Sequence, residues 1–226
     1  MTINRSTKYL SIEAEEGQNI KKNRNSFFKF QTFKNFNSKY VKFYTFHSGF
    51  KKKKDDLLIV YFKFLVPVAA VYSKTSTPSA PIIWDKKNNN GYCKLLIVNS
   101  GNANAHTGSL GIRNIDKYVK QASVFFDCSV NEILVSSTGV IGEQLDYKKI
   151  INKLSLVKNT RERNLLFAAK TIMTTDTFPK FIQKKVKIES GFVNIFGIAK
   201  GSGMIFPNMG TMLAYIFIEA NISQSV

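Results

Sequence analysis

Hydrophobic positions are weakly periodic over the first 45 or so residues and become regular from Asp55 onward. Leu57-Leu58-Ile59-Val60-Tyr61-Phe62 and Val68 to Tyr72 predict strands separated near Pro67, and Leu95-Leu96-Ile97-Val98 predicts a short buried strand. The period then changes. Ile115, Tyr118, Val119, Ala122, Phe125 and Phe126 recur at helical spacing and fall on one face of a helix. A strand follows at Glu132 to Val135, then helical patterns near Tyr147 to Val157 and Glu162 to Met173, then strands around Val186 and at Val193 to Ile198. Met212 to Ile218 is a last apolar run, predicted as a central, buried strand opened by Thr211. Lys86 to Gly91 reads as a surface loop. The alternation predicts an α/β fold.

Composition changes this picture mainly at the N-terminus. The 226 residues carry a formal charge of +18, and residues 1–54 hold 13 Lys and Arg against 3 Glu. Asn23 to Lys39 is basic and aromatic, and Phe27, Phe28, Phe30, Phe33 and Phe36 could stack on single-stranded RNA. No RNA-binding motif accompanies them, so residues 1–45 are read as a poorly ordered extension and nucleic acid is not the expected partner. No apolar run reaches the 18 or so residues of a membrane span. No secretory leader is evident, and Cys93 and Cys128 lack a CxxC or a histidine at ligand spacing. Structural thiols, a reducing cytoplasm and no metal are therefore expected.

Four loops hold the candidate chemistry: Asn99 to Gly108, Ser136 to Gly142, Ile172 to Lys180, and Ala199 to Thr211. None is a nucleotide-binding loop, because Gly201-Ser202-Gly203 follows its lysine instead of preceding it. A threonine hydroxyl is a weak nucleophile without an adjacent base, and cutting the chain before it frees an α-amine that can be that base. Gly210-Thr211 is the bond where such a cut fits. Taken alone, Thr138-Gly139 reads as a tight turn after a strand, Lys200 as a solvated lysine and Asp176 as a helix-end residue.

In this order the four loops resemble the ornithine acetyltransferase family, also called glutamate N-acetyltransferase. The likeness runs from about Phe46 to Asn221 and includes Pro78-Ser79-Ala80-Pro81 with Trp84, which looks like the family's N-terminal strand region. The resemblance implies a layered sandwich of mixed β-sheets flanked by helices, and a proenzyme that cleaves itself at Gly210-Thr211. It implies Thr211 as the acetyl-carrying nucleophile, Thr138 and Gly139 as the oxyanion hole, and Thr174, Lys200 and Thr211 as substrate contacts, with Thr175 an adjacent alternative. The implied reaction moves acetyl from N-acetylornithine to glutamate without a cofactor, in an assembly of two α and two β chains. Some members of the family also take acetyl from acetyl-CoA.

Three features depart from the family's pattern: the lysine-rich start, His106 where many relatives have cysteine, and an end at Val226, 15 residues past Thr211. Residues 46–210 correspond to an α chain and 211–226 to the start of a β chain. The missing β portion leads us to expect a polypeptide inactive or incompletely folded on its own. A basic RNA-associated protein and a decayed pseudoenzyme are the competing readings.

Overall fold

The computed structural model describes residues 38–188, 191–201 and 212–223, all within the compact unit Asn37–Val226. Strands β1 (Val41–Phe46), β2 (Leu57–Pro67), β3 (Tyr92–Asn102) and β4 (Ile133–Val140) form a mixed sheet in that order. The first two pairings are antiparallel and β3 with β4 is parallel. A second, antiparallel sheet contains β5 (Lys180–Ile188), β6 (Gly191–Lys200) and β7 (Leu213–Glu219) in sequence order. The helices are α1 (Ala80–Asn88), α2 (Gly108–Phe126), α3 (Tyr147–Leu154) and α4 (Leu165–Ile172).

Both faces of the mixed sheet are covered, which is why Leu57 to Val60 and Leu95 to Val98 read as unbroken apolar runs. Alternate side chains point to opposite faces. Leu57, Ile59, Leu95, Ile97, Ile133 and Val135 pack with Ile115, Tyr118, Val119 and Ala122 of α2 and with Ile150 and Leu154 of α3. On the opposite face, the ring of Phe43 meets those of Phe196 and Phe217 edge-on, and Phe62 lies 6.1 Å from Phe217. These contacts join the two sheets. Helix α4 packs against β1, β2 and β3 on one side and β5 and β6 on the other. The result is a layered sandwich of sheets flanked by helices.

Several elements differ from their sequence-based expectation. Val68 to Tyr72 has no regular structure, and Val71 is 87% exposed, because the β2 ladder ends at Pro67. Pro78-Ser79-Ala80-Pro81 with Trp84 opens a helix, not a strand region: Pro81 occupies the first turn, where a missing N–H costs nothing. The same helix takes in Lys86 to Asn88, so the exposed loop is shorter than Lys86 to Gly91. Strand β1 begins at Val41, so the sheet includes residues on the extension side of the boundary expected at 46. β7 pairs with β6 and is an edge of its sheet among the described residues, with Ala214, Ile216 and Ile218 exposed; it is not a buried central strand. The five phenylalanines from Phe27 to Phe36 and residues 1–37 generally lie outside the described residues.

Candidate active site

The site assembles where β3 and β4 end beneath β6. Register alignment places Ser100 beside Thr138 and Gly101 beside Gly139, and the Ser100 N–H donates to the Asp56 carbonyl at 2.7 Å. Both strands run further than their apolar runs suggest, so Thr138 and Gly139 belong to β4 itself and not to a turn after Val135. Parallel pairing with Gly101 supplies the hydrogen bonds that extend it.

The two glycines are demanded by backbone contact. A Cβ on Gly139 (φ +137°) would lie 2.3 Å from the Gly101 carbonyl carbon, and one on Gly101 (φ +114°) would lie 2.7 Å from the Phe50 carbonyl oxygen. Any side chain at either position would drive the three backbones apart. Phe50 is held in turn by Asp56. This buried carboxylate accepts N–H groups from Ser48, Gly49, Phe50 and Lys51 at 2.7 to 3.0 Å, as well as the Ser48 hydroxyl. A stack therefore runs from Asp56 through Phe50 and Gly101 to Gly139.

Lys200, the last residue of β6, is 4% exposed and its ammonium donates to Thr138 Oγ1 at 2.9 Å. That bond leaves the Thr138 O–H to donate elsewhere, with its oxygen polarised by a positive charge. Burial pulls the Lys200 pKa below that of a free lysine; Asp176 opposes this and Lys180 adds to it. The solvated-lysine reading of Lys200 fails on its burial.

Thr174 follows α4 and is half-buried, whereas Thr175 is exposed. The Thr174 N–H reaches Asp176 Oδ2 at 3.4 Å, while Asp176 Oδ1 accepts from Lys180 Nζ at 2.6 Å and from the Gly201 N–H at 2.8 Å. Burial pushes the Asp176 carboxyl up, but Lys180 and the Gly201 and Thr174 N–H groups outweigh it and hold it below its usual value. Asp176 thus links the Thr174 turn to the residue after Lys200, which is more than a helix-end role.

Thr138, Gly139 and Lys200 therefore meet directly, and Thr174 is tied through Asp176 to Gly201, the residue after Lys200. Gly210 and Thr211 lie outside the described residues; Leu213, two positions after Thr211, is the register partner of Lys200. Sequence reasoning passed over Asp56 and Lys51, and it placed Ser100 and Gly101 in a candidate loop without giving them a role. The available signals were a glycine inside a strand pattern and an aspartate between a lysine run and a buried strand. The thiols stand apart from the site: burial pushes Cys93 up to about 12 and Cys128 up to about 11.

The site thus belongs to a layered α/β protein that holds a hydroxyl-and-glycine pair at a strand end, with a buried ammonium bonded to the hydroxyl. Comparison with known proteins gives the family. Residues 42–226 match the ArgJ family model, and the chain belongs to that family, the one its loops resemble. It is 41% identical over 189 residues to the arginine biosynthesis bifunctional protein ArgJ of Bartonella henselae, covering 82% of this chain and 46% of that protein. It is 43% identical over 186 residues to the protein of the same name from Bradyrhizobium diazoefficiens, covering 81% and 45%. The chain thus spans about half the length of these relatives. The crystal structure of the Bacillus halodurans protein called arginine biosynthesis bifunctional protein ArgJ superposes with a TM-score of 0.69 at 30% identity, covering 77% of this chain and 92% of that one. An ornithine acetyltransferase of Mycobacterium tuberculosis, complexed with ornithine, shares the fold with a TM-score of 0.63 at 24% identity, covering 76% and 92%.

Proposed function

We propose that this chain supplies the first part of an acetyltransferase of arginine biosynthesis, which moves an acetyl group from N-acetylornithine to glutamate. The observation that carries this reading is the Lys200–Thr138 bond beside Gly139 in a member of the ArgJ family. Such an arrangement presents a polarised hydroxyl, and a backbone free of side-chain crowding, to developing negative charge.

Thr211 Oγ attacks the Gly210 carbonyl carbon. The C–N bond breaks as the acyl group shifts from nitrogen to oxygen, and water hydrolyses the ester to release an N-terminal chain ending at Gly210. The freed Thr211 α-amine belongs to a class of group that titrates at about 7.7–8.0, so it takes a proton near neutrality. Thr211 then attacks the acetyl carbonyl of N-acetylornithine, the amide bond breaks, and ornithine leaves with the returned proton. Glutamate's amine takes the acetyl group in the reverse sequence. Thr138 and Gly139 meet the tetrahedral oxyanion in each half, a donor of this kind being worth about 3–4 kcal/mol. Lys200 and Thr174 hold the amino-acid part of the substrate, and no cofactor enters the scheme.

The sequence up to Gly210, β1 included, forms the α chain and 211–226 the start of β in this scheme. A β portion supplied by further sequence completes the pocket, in a cytoplasmic α2β2 assembly, with acetyl-CoA a second donor to be assayed. The test is isotopically labelled acetyl transfer from N-acetylornithine to glutamate by protein purified from its native source with its associated chains. Lys200→Met should lower kcat/KM by about 100-fold or more. Transfer that proceeds at the wild-type rate in that variant refutes the assignment.

A further inference from the structure

Lys51 is the functional group left over from the site. Its ammonium, brought in by the loop that Asp56 organises, donates to the Thr171 carbonyl at 2.8 Å and to the Asp55 carbonyl at 3.3 Å. Ser100 Oγ donates to the same Thr171 carbonyl. That carbonyl therefore has a donor already and does not require a lysine for its satisfaction. Ser100 is the cross-strand partner of Thr138, whose hydroxyl takes the Lys200 ammonium. Two cations thus flank one Ser100/Thr138 pair, on strands about 4.8 Å apart.

This placement desolvates both ammonium groups. Burial pulls the Lys51 pKa down to about 8, with Lys54 and Lys200 acting the same way against Asp56 and Asp55, and burial also lowers that of Lys200, with Lys180 adding to it against Asp176. The nearby carboxylates act on these lysines but are shared with other donors: Asp56 with the 48–51 N–H groups, Asp55 with the Thr45 hydroxyl at 2.6 Å, and Asp176 with Lys180 and Gly201. An entering anion relieves both desolvation and repulsion, and an anion with two carboxylates relieves them at both nitrogens.

We propose that Lys51 and Lys200 form a two-ammonium subsite for a dicarboxylic amino acid, with Lys51 as the residue that selects glutamate over ornithine. The inference rests on the acetyl-transfer reading for its substrates but not for its measurement. Ornithine offers one carboxylate and a side-chain ammonium, which Lys51 repels; glutamate offers a second carboxylate in its place.

Calorimetric titration of glutamate and of ornithine into the protein purified with its associated chains, wild type and variants, tests this directly. Wild type should bind glutamate more tightly than ornithine. Lys51→Met should weaken glutamate about tenfold or more while leaving ornithine unchanged or tighter, as the loss of one charge-assisted contact requires. Lys51→Arg should retain most of the preference, which separates a charge effect from a folding defect, and Lys200→Met should weaken both ligands. The proposal is overturned if wild type shows no preference or no binding, if Lys51→Met weakens both ligands equally, or if Lys51→Arg behaves like Lys51→Met. Failed acetyl transfer with the binding preference intact would remove the catalytic reading alone, and transfer without the preference would remove the subsite alone.

Discussion

Asp85 offers a pH test of the fold that requires no activity. It projects from α1, is 6% exposed, and its Oδ1 accepts the Val135 N–H at 3.1 Å. Burial pushes its pKa from 3.8 up to about 8, against the opposing Val135 hydrogen bond. Between those values the folded chain keeps the acid protonated while the unfolded chain ionises it, so the native state binds more protons and stability falls as pH rises. Each pH unit in that window costs about 1.4 kcal/mol, so the ceiling from pH 5 to pH 8 is about 4 kcal/mol. For a chain of this size that corresponds to a drop of roughly 8–16 °C in Tm. Asp85→Asn keeps an oxygen acceptor for Val135 and removes the ionisation. Thermal unfolding by circular dichroism at pH 5, 6.5 and 8 should show wild type losing stability relative to Asp85→Asn as pH rises, with the gap widest at pH 8. A gap that is constant with pH, or that narrows toward pH 8, refutes the reasoning.

Other substitutions probe the scaffold beneath the site. Gly139→Ala places a Cβ against the Gly101 backbone at 2.3 Å and should destabilise the chain by about 3 kcal/mol or more, read as a lower urea midpoint. Asp56→Ala strands the four N–H groups of residues 48–51 and should cost roughly 3–5 kcal/mol by the same assay. Asp56→Asn, which keeps acceptor capacity, should cost less. Because burial raises both thiols, neither Cys93 nor Cys128 should react with iodoacetamide at pH 8 until urea unfolds the chain, and mass spectrometry of the native protein should find no adduct.

How far the sequence could be read follows from what each signal measures. The face of α2 was legible because Ile115, Tyr118, Val119 and Ala122 are buried at the spacing of a helix. The extension of β3 and β4 through Gly101 and Gly139 was not, since glycine weakens a strand pattern and only partner backbones explain it. Lys200 and Asp176 looked like surface charges because periodicity carries no information about a neighbouring sheet: Lys200 is buried where it reaches Thr138 of the other sheet, and Asp176 is held by Lys180 and the Gly201 N–H. Asp56 and Lys51 were hidden in a charge run, Lys51 to Asp56, whose ordinary meaning is solvent. Helix α1 was missed because resemblance assigned Pro78-Ser79-Ala80-Pro81 with Trp84 to a strand region, although proline is well suited to a first helical turn. The grouping of Thr138, Gly139, Thr174 and Lys200 came from resemblance, and the bond between Lys200 and Thr138 is visible only in three dimensions.

The most direct test of the acetyltransferase account is the intact mass of the protein from its native source, before and after exposure to N-acetylornithine. One chain ending at Gly210 and a partner beginning with Thr211 are expected, with the partner alone gaining the mass of one acetyl group and losing it when glutamate is added. An uncut chain, or an acetyl group found anywhere other than on Thr211, contradicts it.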